Sequence, residues 1–256
     1  MKLFYRVLGS GQPLVILHGL FGQSDNWNSL SKRFAESGLQ VYTADLRNHG
    51  LSPHSDEWSY PAMAADVYEL IEDLKLENVI LLGHSMGGMV AMEFACEHPG
   101  KIDKLIVADM APKQYPPHHD AVIAGLKSVD FSLIKTRKEA EAQLSHFIKD
   151  EGTRQFLMKN LYWKSETELD WRFNLKIIAD KYKEVGKPFD TGNAFCDKPA
   201  WFIRGDRSDY ILDSDWPLIS RIFPDSSLIT IPGSGHWVHA EQPLLFYNAV
   251  SEIVKG

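Results

Sequence analysis

Cysteine is almost missing. Cys96 and Cys196 are the only two in 256 residues, far apart and outside any CxxC pattern. That spacing offers no CxxC metal or redox motif; a lone disulfide is the alternative, and two free thiols in a reducing compartment are expected. Long apolar runs are missing too, so no membrane span is expected. The N-terminus, MKLFYRVLGSGQ, lacks both a hydrophobic signal core and a small-residue cleavage site. A cytoplasmic protein is the resulting expectation. Basic charge is in deficit, with 27 Lys and Arg against 34 Asp and Glu, a net −7. Nucleic acid and anionic membrane surfaces need a clustered basic face, so neither is expected as a partner. Internal repeats and low-complexity segments are absent. What remains is 44% hydrophobic and 24% charged, the composition of an ordinary soluble globule.

Short apolar, β-branched runs alternate with amphipathic segments. PLVILHG (13–19), LQVYTAD (39–45), NVILLGH (78–84), KLIVAD (104–109), AWFIRG (200–205) and SLITIP (227–232) read as strands buried on both faces. KLFYRVL (2–8), followed by turn residues, reads as an edge strand entering from outside the parallel set. Helical patterns cover 25–37, 61–75, 85–97, 214–222 and 243–255; in the second, Met63, Val67, Leu70, Ile71 and Leu74 fall on one face. This alternation predicts an α/β fold, a doubly wound, mostly parallel sheet flanked by helices.

The alternation breaks between about 112 and 196, where no strand-like run occurs and several helical ones do. The expectation is one core, 1–111 plus 197–256, with a helical cap over 112–196 inserted after a core strand. Phe131, Phe147, Phe156, Trp163, Trp171 and Phe173 lie in this insertion. Each can line a pocket or pack the insertion's own small core, and packing is the expected role for most.

GHSMGG (83–88) follows one predicted strand and opens one predicted helix, the context a G-x-S-x-G nucleophile turn requires. Ser85 on so sharp a turn takes a strained backbone, and its neighbours at −2 and +2, Gly83 and Gly87, must be small. The Met86 N–H, at the helix start, then points at a developing oxyanion. HGLFG (18–22) ends an earlier strand and offers a second such N–H from Leu20. His236, in GSGHWVH (233–239) after the last predicted strand, is placed to be the base. His239 is given a minor role, while Phe21 and Trp237, beside these loops, are candidate pocket residues. The HHD run (118–120) contains metal-ligating types, but adjacent ligands at a helix start point apart, and a solvated helix entrance is expected instead. No metal site is expected.

HGLFG, DLRNHGLSP (45–53), GHSMGG and GSGHWVHAEQP (233–243) together resemble the α/β-hydrolase superfamily. The Asn of RNHG, with ADMAP and GHWVHAE, is most similar to the YbfF-type acyl esterases. The resemblance implies a cofactor-free Ser–His–acid hydrolase with a helical cap, acting on small-molecule acyl esters or thioesters. The same catalytic groups serve C–C bond hydrolases, lyases and perhydrolases, and the fold also serves non-catalytic receptors. A receptor has no need of an intact Ser and His.

The acid is the unobvious member. In most relatives it follows the strand equivalent to AWFIRG, three residues beyond the glycine; here that position is Ser208. Asp206 falls two positions too early and is expected to cap the turn; Asp209 falls one residue late and is expected at the surface or at a helix entry. Asp45 ends a strand on the far side of HGLFG from His236 and is expected to anchor its own loop through Arg47. Asp109 ends KLIVAD, the strand expected between the nucleophile strand and AWFIRG, and strands lie about 4.8 Å apart. The YbfF-type resemblance also implies an aspartate there, supported by a serine at the usual acid position. Asp109 is therefore expected to orient His236, with Ser208 as its hydrogen-bond partner.

Overall fold

A computed structural model describes residues 1–116, 119–187 and 192–256. Its strands are β1 (Tyr5–Leu8), β2 (Gln12–Leu17), β3 (Leu39–Ala44), β4 (Val79–His84), β5 (Ile102–Ala108), β6 (Leu161–Trp163), β7 (Leu169–Trp171), β8 (Ala200–Gly205) and β9 (Ser226–Ile231). Seven form one sheet in the order β1-β3-β2-β4-β5-β8-β9; only β1, at the edge, is antiparallel to its neighbour.

The helices are α1 (Asn28–Glu36), α2 (Tyr60–Asp73), α3 (Met86–Glu97), α4 (Asp120–Ser128), α5 (Arg137–Phe147), α6 (Glu151–Met158), α7 (Leu175–Asp180), α8 (Trp216–Ile222), α9 (Val238–Glu241) and α10 (Pro243–Lys255). Strand residues alternate between two cores. Val15, Leu17, Leu81 and Val107 pack with Met63 and Val67 of α2 and Val90 of α3. Leu14, Ile16, Leu82 and Ile106 pack with Leu30 and Phe34 of α1 and Phe246 and Val250 of α10. Double coverage explains why the strand runs are continuously apolar. Ser59 caps α2, with Pro61 in its first turn where a missing N–H costs nothing.

Two elements depart from the sequence expectation. The 112–196 segment carries, besides α4–α7, the antiparallel hairpin β6–β7, where no strand was predicted. Its strands are three residues each, too short for a period to register, and a turn closed by Lys164 N–H to Glu168 O at 2.8 Å joins them. The four-residue α9 was likewise read only as the approach to α10. Among the described residues, no helix is long and apolar enough to cross a membrane.

Candidate active site

Parallel strands end together, and their C-terminal ends carry the chemistry. His18 follows β2, Asp45 follows β3, Ser85 follows β4, Asp109 follows β5, Ser208 lies three residues past β8, and His236 follows β9. Ser85 sits at φ 53°, ψ −120°, a conformation L residues rarely adopt, and it is held by its N–H to Ala108 O at 3.1 Å. The turn tolerates no bulk at its flanks. A Cβ on Gly83 would lie 2.1 Å from Gly87 O, and one on Gly87 would lie 2.4 Å from Leu17 O.

A continuous hydrogen-bonded line crosses three strand ends. Ser85 Oγ lies 2.8 Å from His236 Nε2, and His236 Nδ1 lies 2.8 Å from Asp109 Oδ2. With the carboxylate as acceptor, Nδ1 carries the proton and Nε2 is free to accept from serine. Asp109 is fully buried and also at positive φ, 51°. Ser208 Oγ donates to its Oδ2, and Gly205 N–H donates to Oδ1 at 3.2 Å. Burial pushes the carboxyl up to about 6, against the pull of those two donors. Asp206 accepts Ser234 N–H at 3.2 Å and steadies the loop before His236, while Asp209 is exposed.

Leu20 and Met86 both flank Ser85. Met86 is the first residue of α3, so its N–H has no intrahelical partner. Among the described residues neither the Leu20 nor the Met86 N–H donates to a protein acceptor. Phe21 and Trp237 line the cavity of about 310 Å³ that opens beside Ser85 and His236. Gly152 and Phe156, from the 112–196 segment, line it as well, and Phe156 packs on Trp237 with ring centroids 5.4 Å apart. Of the other aromatic residues of that segment, Trp171 and Phe173 pack against each other, whereas Phe147 and Trp163 are exposed.

Several supporting residues carry no sequence signal of their own. The Tyr210 ring stacks on His236 at 3.6 Å and fixes the imidazole plane. His84, inside GHSMGG, donates Nε2–H to the His236 carbonyl at 2.9 Å. Glu241 accepts Gly235 N–H at 2.9 Å and Trp237 N–H at 3.2 Å, clamping the histidine loop from its far side. His18 accepts Leu46 N–H at 3.0 Å, and His49 accepts Phe21 N–H at 3.2 Å. Burial holds His18 at about 4 and both His49 and His84 at about 3, so these three rings act as neutral struts. His239 stacks on Trp27 at 4.2 Å in the cavity wall, its own basicity likewise lowered by burial.

One expected partner is corrected. Asp45 does anchor its loop, but through Ser24 N–H at 2.5 Å and Leu51 N–H at 2.8 Å, not through Arg47. Arg47 turns away to a bidentate pair with buried Asp66 at 2.6 and 2.8 Å. The Asn of RNHG, Asn48, adopts φ 65° and bonds Ser55 in both directions and Asn174 Nδ2 at 3.1 Å. Of the 118–120 run, His118 lies outside the described residues; among those described, no cluster of three metal-ligating side chains occurs.

Comparison with known proteins places this arrangement. Residues 12–243 match the family described as alpha/beta hydrolase fold, and the chain belongs to that family. Within it, the chain is a hydrolase of the YbfF esterase type. It is similar to Esterase YbfF of Escherichia coli (strain K12), 34% identical over 242 residues, covering 94% of this chain and 92% of that protein. It is also similar to the sn-1-specific diacylglycerol lipase ABHD11 of Mus musculus, 38% identical over 264 residues, covering 99% and 85%. A solved marine microorganism esterase superposes with a TM-score of 0.95, 46% identical, covering 98% of each chain.

Proposed function

We propose that the chain cleaves acyl esters or thioesters of small to medium uncharged molecules through a Ser85–His236–Asp109 triad and an acyl-enzyme. The observation that carries this reading is the line from Ser85 Oγ through His236 to Asp109, both steps 2.8 Å, opening on a cavity of about 310 Å³. Ser85 Oγ attacks the carbonyl carbon as His236 Nε2 takes its proton. Asp109 stabilises the imidazolium that forms, and Ser208 holds Asp109. The Leu20 and Met86 N–H groups receive the negative charge on the carbonyl oxygen. His236 then hands the proton to the departing alcohol or thiol, and water repeats the cycle to release the acid. Every step uses the chain's own groups and water.

Residues 112–196 act as the cap over a core of 1–111 and 197–256. Support comes from the cap's side chains: Phe156 reaches the cavity beside His236, and Tyr115 and Tyr182 reach the other side of Ser85. Uncharged substrates are favoured because Phe21, Trp27, Phe156, Leu157 and Trp237 form much of the cavity wall, and Lys159 and Glu241, the charged residues among its described lining, are of opposite sign.

A fluorophosphonate probe tests the nucleophile. Wild type is expected to be labelled and Ser85→Ala not. Persistent labelling of the variant refutes the assignment of Ser85, and no labelling of either protein refutes the serine-hydrolase reading.

A further inference from the structure

Two cavities meet at Ser85, and they are unequal. The outer one, about 310 Å³, is bordered by His236, Trp237, Phe156 and Gly152. The inner one, about 40 Å³, is bordered by Leu20, Met86, Met110, Tyr60, Tyr115 and Tyr182. Ser85 borders both, but His236 borders only the outer, because Tyr210 covers one face of its ring at 3.6 Å.

The chemistry decides which half of an ester goes where. His236 Nε2 must deliver its proton to the leaving oxygen, so the leaving group lies on the side His236 faces. With the carbonyl oxygen at the Leu20 and Met86 N–H groups, the acyl substituent points into the inner cavity. We propose that the two cavities divide the substrate at its scissile bond: the inner one takes a short uncharged acyl group, the outer one a bulky apolar alcohol or thiol. This rests on the serine-hydrolase reading above.

The tyrosine hydroxyls around the inner cavity are already taken up by protein partners. Tyr60 OH donates to Val185 O at 2.6 Å, Tyr115 OH donates to Tyr210 O at 2.7 Å, and Tyr182 OH accepts His119 N–H at 2.9 Å. With their hydroxyls so engaged, these side chains offer ring carbon to the acyl group. Space for about three water-sized atoms admits acyl chains of about two to four carbons.

The test uses two ester series on the wild-type enzyme: p-nitrophenyl esters of lengthening acyl chain, and acetates of methanol, butanol and 2-phenylethanol. kcat/KM is expected to fall at least tenfold once the acyl chain passes about four carbons. It is expected to rise about tenfold from methyl to 2-phenylethyl acetate. Met110→Ala is expected to lengthen the preferred acyl chain by about two carbons. Because Met110 is buried, a second variant is used that puts no hole in the core. Gly152 is exposed on α6, and a Cβ there meets nothing nearer than Asp150 Oδ2 at 3.2 Å and Trp237 Cζ3 at 3.8 Å. Gly152→Leu is expected to lower the 2-phenylethyl to methyl ratio about tenfold without moving the acyl optimum. If long acyl chains are cleaved fastest and Gly152→Leu shortens the preferred acyl chain, the seating is reversed and the proposal is overturned. If no ester in either series is hydrolysed while the fluorophosphonate still labels Ser85, the proposal falls and the serine-hydrolase reading stands; if labelling fails as well, both fall.

Discussion

Ser208→Ala removes one donor from a buried carboxylate and leaves the rest of the line intact. Asp109 keeps His236 on Oδ2 and Gly205 N–H on Oδ1, but loses the Ser208 hydroxyl. A hydrogen bond to an ionised group contributes about 1.5–3 kcal/mol, and each pKa unit corresponds to about 1.4 kcal/mol. The donor favours the ionised form, so its loss moves the Asp109 carboxyl upward by about one to two units from its position of about 6. A protonated Asp109 cannot stabilise the imidazolium, so activity lies above this titration and is lost as pH falls through it. The acid limb of kcat/KM, a property of the Asp109–His236 pair, therefore moves to higher pH in the variant. At pH 6 the variant should run about tenfold slower than wild type, and above pH 9 the difference should shrink to a few fold. The assay is a pH profile of kcat/KM from 5 to 10 on one p-nitrophenyl ester, with Asp109→Asn and Asp209→Asn beside it. Asn tolerates the positive φ of Asp109, so the first control keeps the backbone and removes the charge, with an expected loss in kcat of up to about 10⁴. Asp209→Asn should match wild type. The reasoning is refuted if Ser208→Ala loses the same fraction at every pH, or if Asp209→Asn is the crippled variant.

Three further outcomes follow from the geometry. Gly83→Ala and Gly87→Ala each drive a methyl group to within 2.4 Å of a backbone carbonyl and should yield no soluble enzyme, whereas Gly88→Ala meets Val107 Cγ1, Met110 Cβ and Gly83 O at 3.1 to 3.3 Å and should fold; expression and thermal melting separate them. His84→Phe keeps the ring but drops the bond to the His236 carbonyl, worth about 1 kcal/mol, and should lower kcat about fivefold with melting temperature nearly unchanged. Asn48→Gly frees the backbone but deletes three hydrogen bonds to Ser55 and Asn174, together about 2–3 kcal/mol, and should lower the melting temperature by about 5 °C; a rise would refute the clamp.

The sheet was legible because strands covered on both faces write continuous apolar runs, and the C-terminal edge then predicted which loops converge. Asp109 was legible for the same reason: once the strand after GHSMGG is placed beside it, its terminal carboxylate has to lie near Ser85. Other parts had no local signature. The hairpin β6–β7 and helix α9 are shorter than any period that could reveal them. His84 looks like filler in a motif, and its partner is 152 residues away along the chain. Tyr210 announces nothing until β8 and β9 lie side by side and bring its ring onto His236. The Asp45–Arg47 pairing failed for the opposite reason. Nearness in sequence suggested an ion pair, but the chain turns between them and gives each a more distant partner.

Asp109 stands at the root of the 112–196 insertion, and that root is pinned. Its backbone N–H bonds Ile203 O at 2.8 Å; two residues on, Ala111 N–H bonds Tyr115 OH at 2.8 Å, and Tyr115 OH in turn holds Tyr210 O at 2.7 Å. The chain is thus riveted to its neighbours on both sides of the point where it leaves the sheet. Changes of length or sequence between residues 116 and 196 are therefore expected to leave the carboxylate in place. With 112–196 as the proposed cap, Tyr115 marks a natural splice boundary, beyond which a lineage, or an engineer, can alter the cap while Asp109 stays in place.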